Sequence, residues 1–161
     1  MENKKVLITG ANRGIGKGIA ESLLSCGFQV LATSRMIENF DFNHENLTKA
    51  SLDIGDTKAV AEFQKVVEEF NPTILINNAG ITKDNLTIRM SLEEWSKVIN
   101  VNLTSTFLMC KYSIKKMLKN KSGKIVNITS VVGHTGNLGQ ANYTASKAGI
   151  IAMSKLSLIH I

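Results

Sequence analysis

The sequence is poor in the features that mark several protein classes. Its 161 residues contain a single proline and no low-complexity tract, which excludes collagen-like, mucin-like and proline-rich disordered chains. No apolar run approaches the roughly 18 residues of a membrane helix. The first residues lead directly into an apolar strand pattern without the apolar core of a signal peptide. We therefore expect a globular protein located in the cytoplasm.

Cysteine is also scarce. Cys26 and Cys110 are far apart in the sequence, and each lies inside an apolar stretch. Two such residues are typical of buried free thiols in a reducing compartment rather than of a disulfide or a pair of metal ligands. The sequence predicts no metal site.

Acidic residues are outnumbered, 13 against 19 lysines and arginines, which gives a net charge of +6. Most basic residues are scattered, but six lysines, here named the lysine cluster, lie close together: Lys111, Lys115, Lys116, Lys119, Lys121 and Lys124. No nucleic-acid motif accompanies them, so we expect neither a nucleic-acid nor a membrane partner. Two interpretations stay open, namely a solvated helix face and a docking surface for an acidic carrier protein.

Strand and helix patterns alternate along the chain. Five short apolar segments predict strands at Lys5–Thr9, Phe28–Thr33, Leu47–Leu52, Thr73–Asn77 and Lys124–Thr129. Apolar residues at helical spacing predict helices at Gly14–Cys26, at Asp56–Phe70 with Asp56 as N-cap, at Ser91–Lys119 with a capping box of Ser91 and Glu94, and from Ala141 onward.

This alternation, with strands that are apolar almost throughout, is typical of a parallel sheet covered on both faces. The sequence therefore predicts an α/β fold with a doubly wound parallel sheet in three α/β/α layers. It contains no internal repeat and no linker, so residues 1–161 are expected to form a single domain.

A glycine-rich turn joins the first predicted strand to the first predicted helix. Its sequence, TGANRGIG at residues 9–16, places glycines at Gly10, Gly14 and Gly16. Glycines at such a turn let the backbone approach a pyrophosphate, and the helix N-terminus supplies free N–H groups. The spacing differs from the usual G-x-G-x-x-G, and a tight turn that needs positive φ is the alternative. The position between a strand and a helix favours nucleotide binding.

The end of the second predicted strand carries basic rather than acidic character. A dinucleotide-binding fold often has a carboxylate there for the ribose 2′-hydroxyl, but this sequence has Ser34 and Arg35. Arg35, together with Arg13 of the glycine-rich turn, suits a 2′-phosphate, because guanidinium groups pair well with phosphate. The sequence predicts NADPH over NADH. The alternative is that Arg13 and Arg35 are ordinary surface arginines.

A serine, a tyrosine and a lysine form the second candidate constellation. Tyr143 and Lys147 are four residues apart in a predicted helix, so they share one face, and an ammonium beside a phenol favours the phenolate. Ser130 lies at the end of the fifth predicted strand, where open α/β sheets bind ligands. A lone Y-x-x-x-K is usually a solvated helix face, but the upstream glycine-rich turn makes the combination specific.

Together these residues resemble the short-chain dehydrogenase/reductase family. The resemblance rests on TGANRGIG at 9–16, NNAG at 77–80, Asn102 within VNL, Ser130 thirteen residues before Tyr143, and YTASK at 143–147. It covers about residues 4 to 155. Two stretches, 77–95 and 130–149, are similar to the bacterial branch that reduces 3-oxoacyl-[acyl-carrier-protein] thioesters in fatty acid biosynthesis. The resemblance implies a Rossmann-like NAD(P)-binding domain.

The resemblance also implies residue roles. Cofactor-binding residues would be Gly10, Arg13, Gly14, Ile15, Gly16, Ser34, Arg35, Asp53, Asn78, Ala79, Gly80, Tyr143 and Lys147. Tyr143 would give its proton to the carbonyl oxygen, Ser130 would hydrogen-bond that oxygen, and Lys147 would bind the nicotinamide ribose. Asn102 would hold a water of the proton relay, or would simply brace the sheet through backbone hydrogen bonds.

Further expectations concern partners and the C-terminal end. The family implies a homo-oligomer, dimer or tetramer, and a substrate bound to acyl carrier protein, with Lys121 and Lys124 expected near the mouth of the site. The family continues beyond Ile161 with further strands and a lid, and the apolar residues Leu156, Leu158, Ile159 and Ile161 depart from its pattern. We therefore expect a domain incomplete at its C-terminus and inactive as given. The alternatives are another reductase of the family, acting on a different ketone or alcohol, and an inactive nucleotide-binding fragment.

Overall fold

The computed structural model of the protein describes residues 4–160, with side chains as far as Lys155. Five parallel strands form one sheet: β1 (Lys5–Ile8), β2 (Gln29–Ser34), β3 (Leu47–Ser51), β4 (Ile74–Asn77) and β5 (Lys124–Asn127). Their order across the sheet is β3-β2-β1-β4-β5. The chain therefore crosses from one half of the sheet to the other between β3 and β4, which confirms the doubly wound parallel sheet.

Within the described residues, five helices lie between strands: α1 (Gly14–Ser25), α2 (Thr57–Glu62), α3 (Gln64–Phe70), α4 (Leu92–Ile99) and α5 (Ser105–Asn120). Two more, α6 (Val132–Thr135) and α7 (Ala141–His160), follow β5. The helix predicted over 56–70 is divided into α2 and α3 at Phe63. Asp56 caps α2 as predicted, because its Oδ1 accepts a hydrogen bond from Lys58 N–H at 2.8 Å. The short α6 was not predicted.

Two apolar cores lie on the two faces of the sheet. Leu7, Leu31 and Leu75 point to one face, where they pack with residues of α2, α3 and α5. Val6 and Ile8, the neighbours of Leu7, point to the other face and pack with residues of α1. This alternation follows from the pleat of a strand. Burial on both faces explains why successive positions such as Val6, Leu7 and Ile8 are all apolar, and it confirms the three layers.

The long predicted helix between 91 and 119 contains an irregular turn. Its start has the predicted capping box, since Ser91 Oγ accepts from Glu94 N–H at 3.1 Å and Glu94 Oε2 accepts from Ser91 N–H at 2.9 Å. The bond from Ser91 N–H is the main reason why the pKa of Glu94 is lowered. Between α4 and α5, residues Asn100–Thr104 form a π-helical turn. Such turns occur often at functional sites, and this one contains Asn102.

Two expectations about individual residues are wrong. Cys26 is exposed rather than buried, because it follows the last residue of α1 and turns toward solvent, whereas Cys110 is buried as expected. Burial raises the pKa of the Cys110 thiol to about 11. Lys121 and Lys124 do not lie near the mouth of the site, because Lys124 begins β5 beside Ile74. They therefore lie at the amino edge of the sheet, opposite to its ligand-binding edge.

The C-terminal residues belong to α7, which extends to His160. The apolar side chains of Leu156, Leu158 and Ile159, and the whole of Ile161, lie outside the described part of the structure. Within the described residues, no helix combines the length and the apolar character that crossing a membrane requires.

Candidate active site

The glycine-rich turn needs glycine for two reasons, namely a left-handed backbone and a lack of space for a side chain. Gly10 and Gly14 have φ of +65° and +55°, in the left-handed region that glycine adopts without strain. At Gly16, a Cβ would lie 2.3 Å from the Gly10 carbonyl oxygen and 2.4 Å from Asn78 Nδ2. The first turn of α1 is therefore pressed against the end of β4. This contact places the N-terminus of a twelve-residue helix over the carboxyl edge of the sheet.

Hydrogen bonds between β1 and β4 hold this turn in place. The amide of Asn78 donates to the carbonyl oxygens of Thr9 at 3.0 Å and of Gly10 at 2.8 Å. In return, Thr9 Oγ1 accepts from the backbone N–H groups of Asn78 and Ala79, both at 3.1 Å. The Asn78 side chain therefore holds the glycine-rich turn against the end of β4. Ala79 and Gly80, the next two residues, line a groove at the same edge of the sheet.

A groove of about 1190 Å³ runs along the carboxyl edge of the sheet from β3 to β4. Most of the predicted cofactor-binding residues line it: Gly10, Arg13, Gly14, Ile15, Ser34, Arg35, Asp53, Asn78, Ala79 and Gly80. Gly16 lies beneath this surface. The other wall is formed by α4 and the π-helical turn, through residues such as Ser96, Lys97 and Asn100.

A second cavity, of about 520 Å³, continues the groove toward β5 and α7. Five residues, Arg13, Ile15, Asn78, Gly80 and Ile81, line both cavities, so the two form one elongated channel. The far end of this channel contains the side chains of Tyr143 and Lys147. The structure thus brings the glycine-rich turn and the predicted tyrosine–lysine pair to the same channel, although they are more than 120 residues apart in sequence.

Lys147 is held rigidly in this channel. Its side chain is 4% exposed, and Nζ donates a hydrogen bond to the Ile128 carbonyl oxygen at 2.8 Å. Burial lowers the pKa of Lys147, because an ammonium loses hydration there. Nζ lies 5.7 Å from the centre of the Tyr143 ring. A Cβ on Gly80 would lie 3.6 Å from Nζ, so glycine at this position leaves the ammonium accessible from the channel.

Ser130 is half-buried just after β5 and lies outside the lining of both cavities. Its hydroxyl oxygen accepts a hydrogen bond from Val132 N–H at 3.3 Å. Among the described residues, the Ser130 hydroxyl donates no hydrogen bond. Its proton therefore remains available for an oxygen placed at the end of β5.

The Asn102 side chain is completely buried and bonded within the protein. Its amide donates to the Ile81 carbonyl oxygen and to Ser146 Oγ, both at 3.0 Å, and Oδ1 accepts from Ile81 N–H at 2.8 Å. These contacts tie the π-helical turn to the segment after β4 and to α7. They favour the bracing role among the two roles left open for Asn102, and the water-holding role stays a prediction.

Sequence reasoning missed two groups of residues at this site. Asn142 is buried at the start of α7, where its amide donates to the Lys83 carbonyl oxygen at 2.9 Å and its Oδ1 accepts from Tyr143 N–H at 2.7 Å. It therefore fixes the turn that carries Tyr143. Lys17 and Asp41 form an ion pair at the other end of the groove. Neither group follows a periodic pattern, because tertiary contacts alone bring these partners together.

Comparisons with known proteins agree with this geometry. The family model described as short chain dehydrogenase matches residues 4–157. The chain is 45% identical to 3-oxoacyl-[acyl-carrier-protein] reductase of Buchnera aphidicola, 43% to that of Vibrio cholerae and 44% to that of Escherichia coli. Each comparison covers 96% of this chain and 66% of the relative, so the chain spans slightly less than two thirds of their length.

A solved structure is similar in fold and, more distantly, in sequence. It is 4-hydroxyisoleucine dehydrogenase complexed with NADH, with a TM-score of 0.91 and 32% sequence identity. The similarity covers 98% of this chain and 69% of that one. The five-stranded sheet and its flanking helices therefore occur together in a protein whose structure contains a nicotinamide dinucleotide.

Proposed function

The chain belongs to the short chain dehydrogenase family, and from this premise we propose that it supplies the cofactor-binding and catalytic residues of an NADPH-dependent reductase. The substrate in this proposal is a 3-oxoacyl thioester on acyl carrier protein, which becomes the 3-hydroxyacyl thioester in fatty acid synthesis. One observation carries the proposal: the Tyr143 and Lys147 side chains line the same channel as the glycine-rich turn.

The channel fits a nicotinamide dinucleotide in shape and in polarity. At Gly10, a Cβ would lie 3.0 Å from Ala79 Cα, and at Gly16 it would meet backbone, so the turn presents N–H groups rather than side chains to a pyrophosphate. Asp53, at the β3 end, would meet the adenine. Its Oδ1 accepts from Gly55 N–H at 3.0 Å, which fixes the carboxylate along the groove wall.

The preference for NADPH is supported by the arginines at the same end. Arg13 and Arg35 both line the groove, and both side chains belong to exposed residues that are free to reorient toward a phosphate. Ser34, the last residue of β2, is buried and uncharged. A 2′-phosphate would therefore meet two guanidinium groups, which suit its charge better than they suit a ribose hydroxyl.

In the proposed reaction, a bound nicotinamide supplies hydride chemistry at the carbonyl carbon of the substrate. Tyr143 donates its phenolic proton to the carbonyl oxygen, which becomes the hydroxyl of the product. The Lys147 ammonium lies beside the ring and favours the phenolate that this proton transfer leaves. Ser130 donates a hydrogen bond to the same oxygen, keeps its own proton, and stabilises the negative charge that develops there.

Lys147 would have a second role, since its ammonium can also donate to hydroxyl groups of the nicotinamide ribose. The hydrogen bond to the Ile128 carbonyl uses one of the three protons on Nζ and leaves two. Asn102 would act at a distance from the substrate, by bracing Ile81 and the π-helical turn beneath the channel.

The carrier-bound substrate is supported by the names of the relatives that are 43–45% identical. Two members of the lysine cluster, Lys121 and Lys124, lend this substrate no support, because they lie at the opposite edge of the sheet. A second candidate, a dehydrogenase for a small hydroxylated amino acid, is favoured by the structural similarity to 4-hydroxyisoleucine dehydrogenase. Its sequence identity of 32% is lower, so we place it second.

The test is a comparison of substrates with the purified protein. Oxidation of NADPH is followed at the nicotinamide absorbance with a 3-oxoacyl thioester on acyl carrier protein and with a small soluble ketone. Reduction of NAD⁺ is followed in the same way with a hydroxylated amino acid. The proposal predicts the highest kcat/KM for the carrier-bound thioester. A higher kcat/KM for the amino acid would favour the second candidate. Nucleotide binding without turnover of any substrate would confirm the expectation that the chain as given is inactive.

A further inference from the structure

Asp41 places a carboxylate at the adenosine end of the groove, whereas the residues at the end of β2 include no carboxylate. Asp41 follows the short 3₁₀ turn Ile37–Asn39 and lines the groove together with Arg35. Its Oδ1 accepts a hydrogen bond from Lys17 Nζ at 2.7 Å. Lys17 belongs to the second turn of α1, whose first residues form the glycine-rich turn. The ion pair therefore connects the segment after β2 to the phosphate-binding helix.

Two phenylalanines fix the position of Asp41. Phe40 is buried and Phe42 is partly buried, and both pack on the core between the sheet and α1. Their rings make an edge contact with centroids 5.7 Å apart. Because the residues on either side of Asp41 are anchored inward, its carboxylate is held outward, toward the groove. The Lys17 ammonium also lies 5.7 Å from the centre of the Phe42 ring, which restricts its position as well.

The pair is ionised and charge-balanced. The hydrogen bond from Lys17 is the main reason why the pKa of Asp41 is lowered, and the same bond from the other side raises the pKa of Lys17. Glu21 is a weaker partner of Lys17, with 3.9 Å between Nζ and Oε1. The groove therefore meets a neutral pair at this position, next to the positive charge of Arg35.

We propose that the Lys17–Asp41 pair sets the cofactor preference, because Lys17 neutralises a groove carboxylate that would otherwise repel a 2′-phosphate. This inference rests on the proposed use of a nicotinamide dinucleotide. An unpaired carboxylate at the adenosine end repels a 2′-phosphate and accepts a hydrogen bond from a 2′-hydroxyl. With Lys17 in place, Asp41 adds no net charge to that of Asp53 and Asp56 in the groove, and a 2′-phosphate can pair with the arginines. Lys17 is thus a positioning residue, and Asp41 is the residue through which it acts.

The test measures the dissociation constants of NADPH and NADH for the wild type and three variants. In Lys17→Met, the unpaired Asp41 should lower the preference for NADPH about fivefold, the order expected for one partly screened charge. In Asp41→Asn, the Lys17 ammonium is left unpaired and attracts the 2′-phosphate, so the preference for NADPH should rise about threefold. The double variant should behave like the wild type, because it lacks both charges and the intact pair is neutral. The fragments 2′,5′-ADP and 5′-AMP should repeat the pattern, since they differ at the 2′-position alone.

Matched variants separate the pair from general charge effects. Glu62→Gln removes the same charge as Asp41→Asn, and Lys65→Met the same charge as Lys17→Met, but neither residue lines the groove or contacts the pair. Both controls should leave the ratio of the two dissociation constants unchanged. Equal changes in the controls, or a lower NADPH preference in the double variant, would overturn the inference. A wild type that binds neither dinucleotide would instead refute the proposed function.

Discussion

The two ends of the channel are fixed by different kinds of contact. At the glycine-rich turn, backbone meets backbone, and the space for a Cβ on Gly16 is already filled by the Gly10 carbonyl. At the far end, side chains on separate elements converge, with Tyr143 and Lys147 on α7 and Ser130 after β5. The first end depends on close backbone contacts within the turn and with Asn78 and Ala79 after β4. The second depends on how distant elements pack, so substitutions at the two ends should fail in different ways.

The largest effect is expected at the catalytic end. Tyr143→Phe removes the proposed acid but keeps the ring, so kcat should fall by about 10²–10⁴-fold. The dissociation constant of NADPH should change little, because the phosphate and adenine contacts lie at the other end of the channel. Steady-state kinetics and a fluorescence titration of NADPH measure the two quantities.

Tyr112→Phe is the matched control, since Tyr112 is buried in α5 away from the channel. It should retain full turnover. A Tyr143→Phe variant with turnover close to that of the wild type would show that another group supplies the proton.

The steric end should respond with lost binding and lost stability together. In Gly16→Ala the added Cβ meets the Gly10 carbonyl and Asn78, so the free energy of unfolding should fall by about 1–3 kcal/mol. The NADPH dissociation constant should rise at least about tenfold, because the turn has to move away from the phosphates. Urea denaturation and a binding titration measure both.

Gly18 is the internal control for this helix, because a Cβ there would meet nothing within 4 Å. Gly18→Ala should stabilise the protein by about 0.5–1 kcal/mol through helix propensity. If the two variants had the same stability, the steric account of the glycine-rich turn would be wrong.

The same contrast explains how far the sequence predicts this molecule. The fold and the glycine-rich turn are encoded locally, in apolar strands and in glycine spacing, and the structure confirms the sheet. The π-helical turn could not be predicted from local sequence. Its Asn102 side chain bonds to Ile81, which belongs to a different segment of the chain. Lys121 was placed at the wrong edge because closeness to a strand in sequence does not say which end of that strand faces the site.

An effect of intermediate size concerns the charge at the adenosine end. Arg35→Asp should shift the preference from NADPH toward NADH by about tenfold or more, since a carboxylate repels the 2′-phosphate and accepts from the 2′-hydroxyl. Dissociation constants of both cofactors measure the shift. Arg89→Asp makes the same charge change outside the groove lining and should leave the preference unaltered. Equal affinity of the wild type for the two cofactors would exclude the role given to Arg35.

The smallest effect is a pH dependence of stability that comes from the buried lysine at the catalytic end. Burial lowers the pKa of Lys147 in the folded protein from the value of 10.5 that is typical of lysine. Between the two pKa values the unfolded chain binds more protons than the folded protein, so this group makes stability rise with pH across that window. Its destabilising contribution is complete below the folded pKa and disappears as the pH approaches the unfolded one.

A Lys147→Met variant lacks this group. The free energy of unfolding of the wild type, relative to this variant, should therefore increase as the pH rises from neutral to about 10. Urea denaturation at a series of pH values measures the difference, and Lys155→Met, an exposed substitution on the same helix, should show no such trend. A difference that stayed constant with pH would mean that the hydrogen bond to Ile128 offsets the loss of hydration. In that case, the ammonium at the catalytic end would be as well solvated as a surface lysine, in contrast to the crowded backbone of the glycine-rich turn.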